Sequence, residues 1–314
     1  MPDTSLRYVI TGGAGLVGQN LVVRLREAGC AHVCVIDRHA HNLAILRELD
    51  PGVETHCSDM RQPGPWQQAV RAADVLVLLH AQIGGIEAAE FVRNNVEATR
   101  AVLGELAHNR ACYVLHVSSS VVNSRADDEY VRTKRLQEEL VRAVPNPWCV
   151  LRPTLMFGWF DRKHFGWLSR FMRRSPLFPV PGHGEYLRQP LFAGDFCRII
   201  LRCIERRPAG ECFDISGKEK LPYIRLVRMI RAAVGSRTLV LRIPYGLFAA
   251  LLRTYACFDR DPPFTVKQLE ALVIDETFPD TDWETVFDVR ATPLAEALAI
   301  TFRHPVYSAV ALRF

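Results

Sequence analysis

"RYVITGGAGLVGQNLVVRL" (residues 7–25) decides the fold. A β-favouring apolar run stops at Gly12, Gly13, Gly15 and Gly18 follow, and an amphipathic stretch starts at once. That pattern predicts a strand, a tight turn and a helix. In such a turn Gly12 supplies the sharp bend and Gly15 lets the backbone approach a pyrophosphate. Gly18 lets the helix pack closely on the strand, and phosphates can meet the free N–H groups of the helix N-terminus.

A second β-rich run, "HVCVID", ends in Asp37, nineteen residues after Gly18. A carboxylate there is placed to accept hydrogen bonds from an adenosine ribose, and its charge repels a 2′-phosphate. This favours NAD as cofactor. Arg38, the next residue, can welcome a phosphate, which keeps NADP open.

Outward from this start the first half of the chain alternates. The runs "VETHC", "DVLVLLH", "YVLHVSS" and "WCVLRP" are separated by helical patterns such as "NNVEATRAVLGELAHN" and "EYVRTKRLQEELVRA". The strands are continuously apolar, which predicts an α/β, doubly wound parallel sheet covered on both faces. The expected division is a dinucleotide-binding domain over 1–157, with a returning segment over about 190–216 ("DFCRIILRCIER", "ECFDIS"), and a smaller C-terminal substrate-binding lobe from 158–189 and 217–314. Residues 158–190 are rich in Arg, Pro, Gly and aromatics and are expected to be irregular, with further helices from 218 broken at "DPPFT" and "FPDTDW". The amphipathic stretch "PYGLFAALLRTYACF" (244–258) is expected to pack the second lobe or a subunit contact rather than a membrane surface.

Bulk properties narrow the class. With 314 residues, 49% apolar and 23% charged, the composition is that of a globular protein. A net charge of +5 is too small for a nucleic-acid-binding surface. Nine cysteines occur without a C-x-x-C pair; Cys30 and Cys34 flank His32, but alternate burial on a strand accounts for them, so no metal is expected. No apolar run approaches the ~20 residues that span a bilayer, and no secretory pattern precedes the first strand. The expected location is the cytoplasm, without stable membrane insertion.

The chemistry is carried by "VSSSVVNSRADDEYVRTK" (117–134). Tyr130 and Lys134 stand at i and i+4, so a helix presents both on one face. A free phenol with a pKa of ~10 is a poor base at neutral pH. A nearby ammonium and an oxidised nicotinamide favour the phenolate, letting Tyr130 take a hydroxyl proton as hydride leaves the same carbon. A strand-end serine hydroxyl then holds the reacting oxygen.

With these motifs the chain resembles the extended short-chain dehydrogenase/reductase superfamily, in its NAD-dependent epimerase/dehydratase group, whose fold is a Rossmann-type sheet. The resemblance runs through most of the sequence. It implies cofactor contacts from "TGGAGLVG" (Gly12, Gly15, Leu16, Val17, Gly18), Asp37 and Arg38, "CSDM" (Asp59, Met60), "LLHAQ" (His80, Ala81, Gln82) and "NNVEAT" (Asn95). "VSSS" (Ser118), "YVRTK" (Tyr130, Lys134) and "LRPTLMFG" (Pro153) complete that set. It makes Ser120 the best match to the catalytic serine, with Ser119 the alternative, beside Tyr130 and Lys134. The family's aromatic-glycine pair and longer loop between Ser and Tyr are missing here. Dehydratases of the family carry an Asp–Glu pair after the strand-end Ser/Thr; Val121 and Val122 stand there instead, which disfavours dehydration.

On the substrate side the resemblance implies Arg188 gripping the diphosphate of a nucleotide sugar, Gln82 with Gly84 and Gly85 next to the nicotinamide, Ser119 and Ser120 at the reacting group, and His164 facing the substrate. The expected activity is NAD-dependent 4-epimerisation of a nucleotide sugar through a transient keto intermediate. The alternatives are a keto-sugar reductase or alcohol dehydrogenase with net hydride transfer and, from another class, a non-catalytic nucleotide-binding scaffold. A homodimer through helices at 95–108 and 130–143 is the expected assembly.

Overall fold

The computed structural model describes residues 2–85, 87–124, 128–258, 266–279 and 281–313. Its centre is a seven-stranded sheet built from β1 (Tyr8–Thr11), β2 (Val33–Asp37), β3 (Glu54–Cys57), β4 (Val75–Leu78), β5 (Tyr113–Val117), β6 (Trp148–Pro153) and β7 (Glu211–Ile215). The strands lie in the order β7-β6-β5-β4-β1-β2-β3, and every neighbouring pair is parallel. The order reverses between β1 and β4. Such a switch point leaves a crevice at the carboxyl ends of the strands, where ligands bind in open α/β sheets.

Both faces of the sheet are covered, which is why β1, β2, β4 and β5 are apolar without alternation. One face sets Ile10, Val35, Val77 and Leu115 against the helices Leu16–Glu27 and Ala193–Arg206. The other sets Val9, Ile36, Leu76 and Val114 against Trp66, Val102 and Val141, from three further helices. The helix Ala193–Arg206 brings the chain back from residue 192 to deliver β7 beside β6.

A separate apolar core collects Phe157, Phe165, Met172, Phe178, Val227 and Leu298. Here the structure corrects the expectation of an irregular stretch at 158–190. That stretch holds a helix, Phe165–Arg174, and a strand, Leu177–Pro181, which pairs in parallel with Leu239–Ile243. Phe165, Leu168 and Met172 recur at helical spacing between arginines, and their burial overrides the local polarity. Two arginines of these helices are held by neighbouring groups. Arg198 bonds Asp195, the Arg290 carbonyl and Thr292, and Arg170 donates to the carbonyls of Asp161 and Arg162.

The helix Tyr245–Phe258 forms as expected, with Ala249 buried while Tyr245, Leu247 and Leu251 face outward. The "DPPFT" break (261–265) lies outside the described residues. Among the described residues no helix is long and apolar enough to cross a membrane.

Candidate active site

The glycine loop is shaped as its sequence requires. Gly12 has φ +68°, and a Cβ there would lie 2.5 Å from the backbone of His80. At Gly18 a Cβ would come within 2.3 Å of Gly13 Cα, so the helix Leu16–Glu27 sits directly on the turn. At Gly15 the nearest atom to a Cβ is the Gly12 oxygen at 3.5 Å, which leaves the space above the loop open. The helix begins with no side-chain cap and no acidic residue in its first turn. Uncapped N–H groups beside an open glycine cradle fit a dinucleotide pyrophosphate.

Asp37 ends β2 beside that loop. Its carboxylate accepts from the N–H groups of Ala14 (3.0 Å) and His39 (3.0 Å), which fixes it while leaving acceptor capacity for ribose hydroxyls. Arg38 is turned away from the phosphate-binding role that would suit NADP: its guanidinium donates to Asn94 Oδ1 (2.9 Å) and Gln82 Oε1 (3.1 Å). Asp59 accepts from the Arg61 backbone and guanidinium, which hold its carboxyl below the usual range. Next to it, Met60 is buried.

Beyond β4 the polar groups form one buried network. His80 is bonded through Nδ1 to Thr11 (2.7 Å) and through Nε2 to Thr99 (2.8 Å), and Gln137 donates to the same Thr99 hydroxyl at 2.8 Å. Burial, helped by the Lys134 charge, pushes the His80 pKa down to about 3 and keeps the ring neutral. Asn95 sits in a π-helical turn, Val92–Glu97, a distortion that favours functional sites. Its Oδ1 accepts from the Gln82 N–H at 2.6 Å and its Nδ2 donates to Thr133 Oγ1 at 2.9 Å. Asn95 therefore ties the loop after β4 to the helix Glu129–Arg142.

That helix is capped by Asp128, whose carboxylate accepts from Val131 N–H at 2.9 Å. Tyr130 stands in its first turn, half-buried. Of the two candidate serines it is Ser119, the alternative assignment, whose hydroxyl acts on the phenol and lowers its pKa against burial. Ser120 is buried at the start of a short 3₁₀ turn, Ser120–Asn123, for which Ser119 is the cap. Burial, followed by the Ser119 bond that opposes it and then the Asp128 charge, leaves Tyr130 above the ordinary phenol pKa.

Lys134 is buried, its Nζ donates to the Val117 carbonyl at 3.1 Å, and the charge acting on Tyr130 is that of Asp128. Burial pushes Lys134 itself down to about 7, with Glu138 opposing. Glu138 in turn holds Arg152 through two bonds, 2.8 and 2.7 Å, and accepts from Arg142.

Sequence reading missed Thr99, Thr133, Gln137 and Glu138 as parts of this framework. The signal was present: Tyr130, Thr133, Lys134, Gln137, Glu138 and Val141 form one helical stripe, yet five of these six are polar. A polar stripe on a helix that must pack on the sheet marks a buried network.

The substrate-side residues are more scattered. Arg188 is buried, and its guanidinium donates to the carbonyls of Leu187 (2.6 Å), Ile274 (2.8 Å) and Leu272. It also lies over the Tyr186 and Tyr223 rings at 5.1 and 5.8 Å. These bonds, with an ion pair to Glu276 at 3.7 Å, tie residues 272–276 to Arg188. His164 is exposed, its backbone N–H held by Asp161, the buried carboxylate that caps the helix Phe165–Arg174. Pro153 is buried at the end of β6. Gln82 is held by Arg38, Asn94 and the Gly84 carbonyl. Away from this crevice, Cys34, Glu54 and His56 bring ligand-type atoms within 4.8 Å of one another on β2 and β3. Glu54 there bonds His56 at 2.9 Å, and burial pushes the Cys34 thiol up to about 12.

Comparison with known proteins agrees with this layout. The model of the NAD-dependent epimerase/dehydratase family matches residues 8–216. A ceramide reductase of Caulobacter vibrioides is 23% identical over 237 residues, covering 75% of this chain and 73% of that protein. UDP-glucuronic acid 4-epimerase from Bacillus cereus, solved with NAD, superposes with a TM-score of 0.75 at 20% identity, covering 95% of this chain and 98% of the other. The dTDP-glucose 4,6-dehydratase DesIV from Streptomyces venezuelae superposes with a TM-score of 0.74, also at 20% identity, covering 95% and 96%. The matched span runs from the glycine loop through the Tyr–Lys helix to β7, and the chain therefore belongs to the NAD-dependent epimerase/dehydratase family, as an enzyme of the extended short-chain dehydrogenase/reductase type.

Proposed function

We propose that the enzyme interconverts a secondary alcohol and its ketone on a nucleotide-activated sugar, working as a 4-epimerase through a transient 4-keto intermediate. The observation that carries this is the Tyr130–Ser119 pair at the carboxyl edge of the sheet, followed by Val121 and Val122 rather than acidic residues. NAD, when bound, supplies the hydride acceptor. Tyr130 takes the hydroxyl proton from the carbinol and returns it to the keto oxygen, while Ser119 holds that oxygen. Lys134, one turn further along the same helix, is fixed by the Val117 carbonyl and holds that helix against the end of β5. With Val121 and Val122 directly after Ser120, the acid–base pair that eliminates water is missing from the positions where dehydratases carry it. Fold likeness to a UDP-glucuronic acid 4-epimerase along 95% of the chain supports the substrate class.

The second reading, net reduction of a ketone, is favoured by one observation. Arg188 is engaged by three carbonyls, so a diphosphate has to displace residues 272–276 to reach it. A substrate without a diphosphate needs no such displacement, and the ceramide reductase relative is named for net reduction. Incubation of the purified enzyme with a panel of nucleotide sugars, with and without NADH, separates the two. Epimer formation without change in NADH supports epimerisation; stoichiometric NADH consumption supports the reductase. The homodimer belongs to this proposal too, through the helices at 95–108 and 130–143, where Leu136 stands exposed; sedimentation tests it.

A further inference from the structure

The edge strand of the large sheet carries polar residues where its neighbours carry apolar ones. On the face packed by Trp66, Val102 and Val141, the strands β1, β2, β4 and β5 place Val9, Ile36, Leu76 and Val114. The last strand in the order, β3, reads Glu-Thr-His-Cys. Its register sets Glu54 beside Cys34 and His56 beside Ile36, so alternation turns Glu54 and His56 to the same face as Cys34.

Among the described residues, Cys34 Sγ, a Glu54 carboxylate oxygen and a His56 ring nitrogen all lie within 4.8 Å of one another. A tetrahedral ion with bonds of ~2.0–2.3 Å separates its ligands by about 3.3–3.5 Å. Glu54 Oε1 and His56 Nε2 already stand 2.9 Å apart. The sulfur is fixed by its burial on β2, whereas the Glu54 side chain is 65% exposed and has room to turn toward it. The three side chains line a cavity of about 530 Å³, bounded also by Val9, His32, Pro65 and Gln68 and by Arg7. A fourth position is therefore open to water.

The donor set selects the ion. Thiolate, imidazole and carboxylate together suit Zn²⁺, whereas Mg²⁺ and Ca²⁺ take oxygen ligands. Left alone, the Cys34 thiol is inert: burial, then the Glu54 charge, push it up to about 12. Coordination sends its proton to solvent, and thiolate and carboxylate then balance the charge of the ion.

We propose that Cys34, Glu54 and His56 form a Zn²⁺ site that fastens the edge strand β3 to β2, with water as the fourth ligand. The site does not depend on whether the reaction is epimerisation or reduction, because none of the three residues belongs to the Tyr130 site.

Titration of the full, reduced, chelator-treated chain with Co²⁺ and then Zn²⁺ tests it. The wild type is expected to show the charge-transfer absorption of a cobalt thiolate, to lose it when Zn²⁺ displaces the cobalt, and to gain in Tm with Zn²⁺ but not with Mg²⁺. Cys34→Ser is expected to abolish the thiolate band. Glu54→Gln and His56→Gln are each expected to weaken Zn²⁺ binding by about tenfold or more. Cys57 is exposed and alternation turns it to the other face, so Cys57→Ser keeps the band. Should Cys34→Ser misfold, Glu54→Gln still decides, because its side chain lies largely in solvent. A wild type without the band or the gain in Tm overturns the proposal. So does a band that survives Cys34→Ser or vanishes with Cys57→Ser, or a Zn²⁺ affinity that Glu54→Gln and His56→Gln leave unchanged.

Discussion

Lys134 Nζ donates to the carbonyl oxygen of Val117 at 3.1 Å, so the ammonium of the Tyr–Lys helix is moored to the last residue of β5. The bond spans 17 positions of sequence and fixes the height of the helix against the strand that ends in the serines. Because Lys134 is buried, burial pushes its pKa down to about 7.

This sets a stability trend with pH. The charged form is disfavoured in the folded state, whose pKa lies below the unfolded value of about 10.4. Between the two values the unfolded chain holds the proton that the folded chain has released, so this contribution grows more favourable as pH rises. Below about pH 7 both states are protonated and the penalty is fully present. Lys134→Met removes the penalty. Its Tm relative to wild type is therefore higher at about pH 6 than at about pH 9, as measured by calorimetry at both values. A difference independent of pH contradicts the buried ammonium.

Ser119 and Ser120 separate by function. If the Ser119 hydroxyl, which acts on the Tyr130 phenol, is the donor to the reacting oxygen, Ser119→Ala lowers kcat by ~10²-fold with KM little changed. Ser120→Ala acts on the buried turn, shifting Tm while kcat stays near wild type. Steady-state kinetics on both variants distinguishes them, and a reversed ranking returns the catalytic role to Ser120.

Two glycines in helices make a paired test of the cofactor loop. At Gly18 a Cβ meets Gly13 backbone at 2.3 Å, so Gly18→Ala forces the loop open and abolishes NAD binding. At Gly104, inside the helix Ala98–Glu105, nothing lies within 4 Å of a Cβ. Gly104→Ala is therefore stabilising by up to ~1 kcal/mol, as a residue with better helix propensity in open space. Fluorescence titration with NAD and chemical denaturation measure the two effects.

Asn95 predicts a coupled loss. Asn95→Ala leaves the Gln82 N–H without its acceptor and takes a donor from the Thr133 hydroxyl, which keeps its own bond to the Glu129 carbonyl; the loss costs ~1–3 kcal/mol. The loop after β4 is released at the same time, so NAD affinity falls along with stability. Urea unfolding and NAD titration of one preparation check both. Loss of stability with unchanged affinity removes Asn95 from the cofactor site.

The parts of the molecule that were legible in the sequence are those governed by local rules. Five of the six leading strands are short, mainly apolar runs between helical patterns, and the glycine spacing marks the turn. What stayed hidden depends on contacts between distant residues. The carbonyl partners of Arg188 lie 84 and 86 positions away, where no local pattern announces them. The choice between Ser119 and Ser120 turns on a single residue of register at the end of β5, where the chain enters a 3₁₀ turn. The order of the helix at 165–174 was masked by its arginines, although its apolar residues keep the spacing of a buried face. Helix 245–258 was recognised, but whether an apolar stripe is covered depends on what the rest of the chain places against it.

The central claim, that Tyr130 is the acid–base group of an alcohol–ketone interconversion, is tested most directly by Tyr130→Phe. The variant keeps the ring and its packing and removes only the hydroxyl. Turnover should be measured on the substrate identified in the nucleotide-sugar panel, with NAD affinity measured in parallel. NAD binding close to wild type with kcat lowered by ~10²–10⁴-fold is the predicted result. Full turnover by Tyr130→Phe would contradict the account.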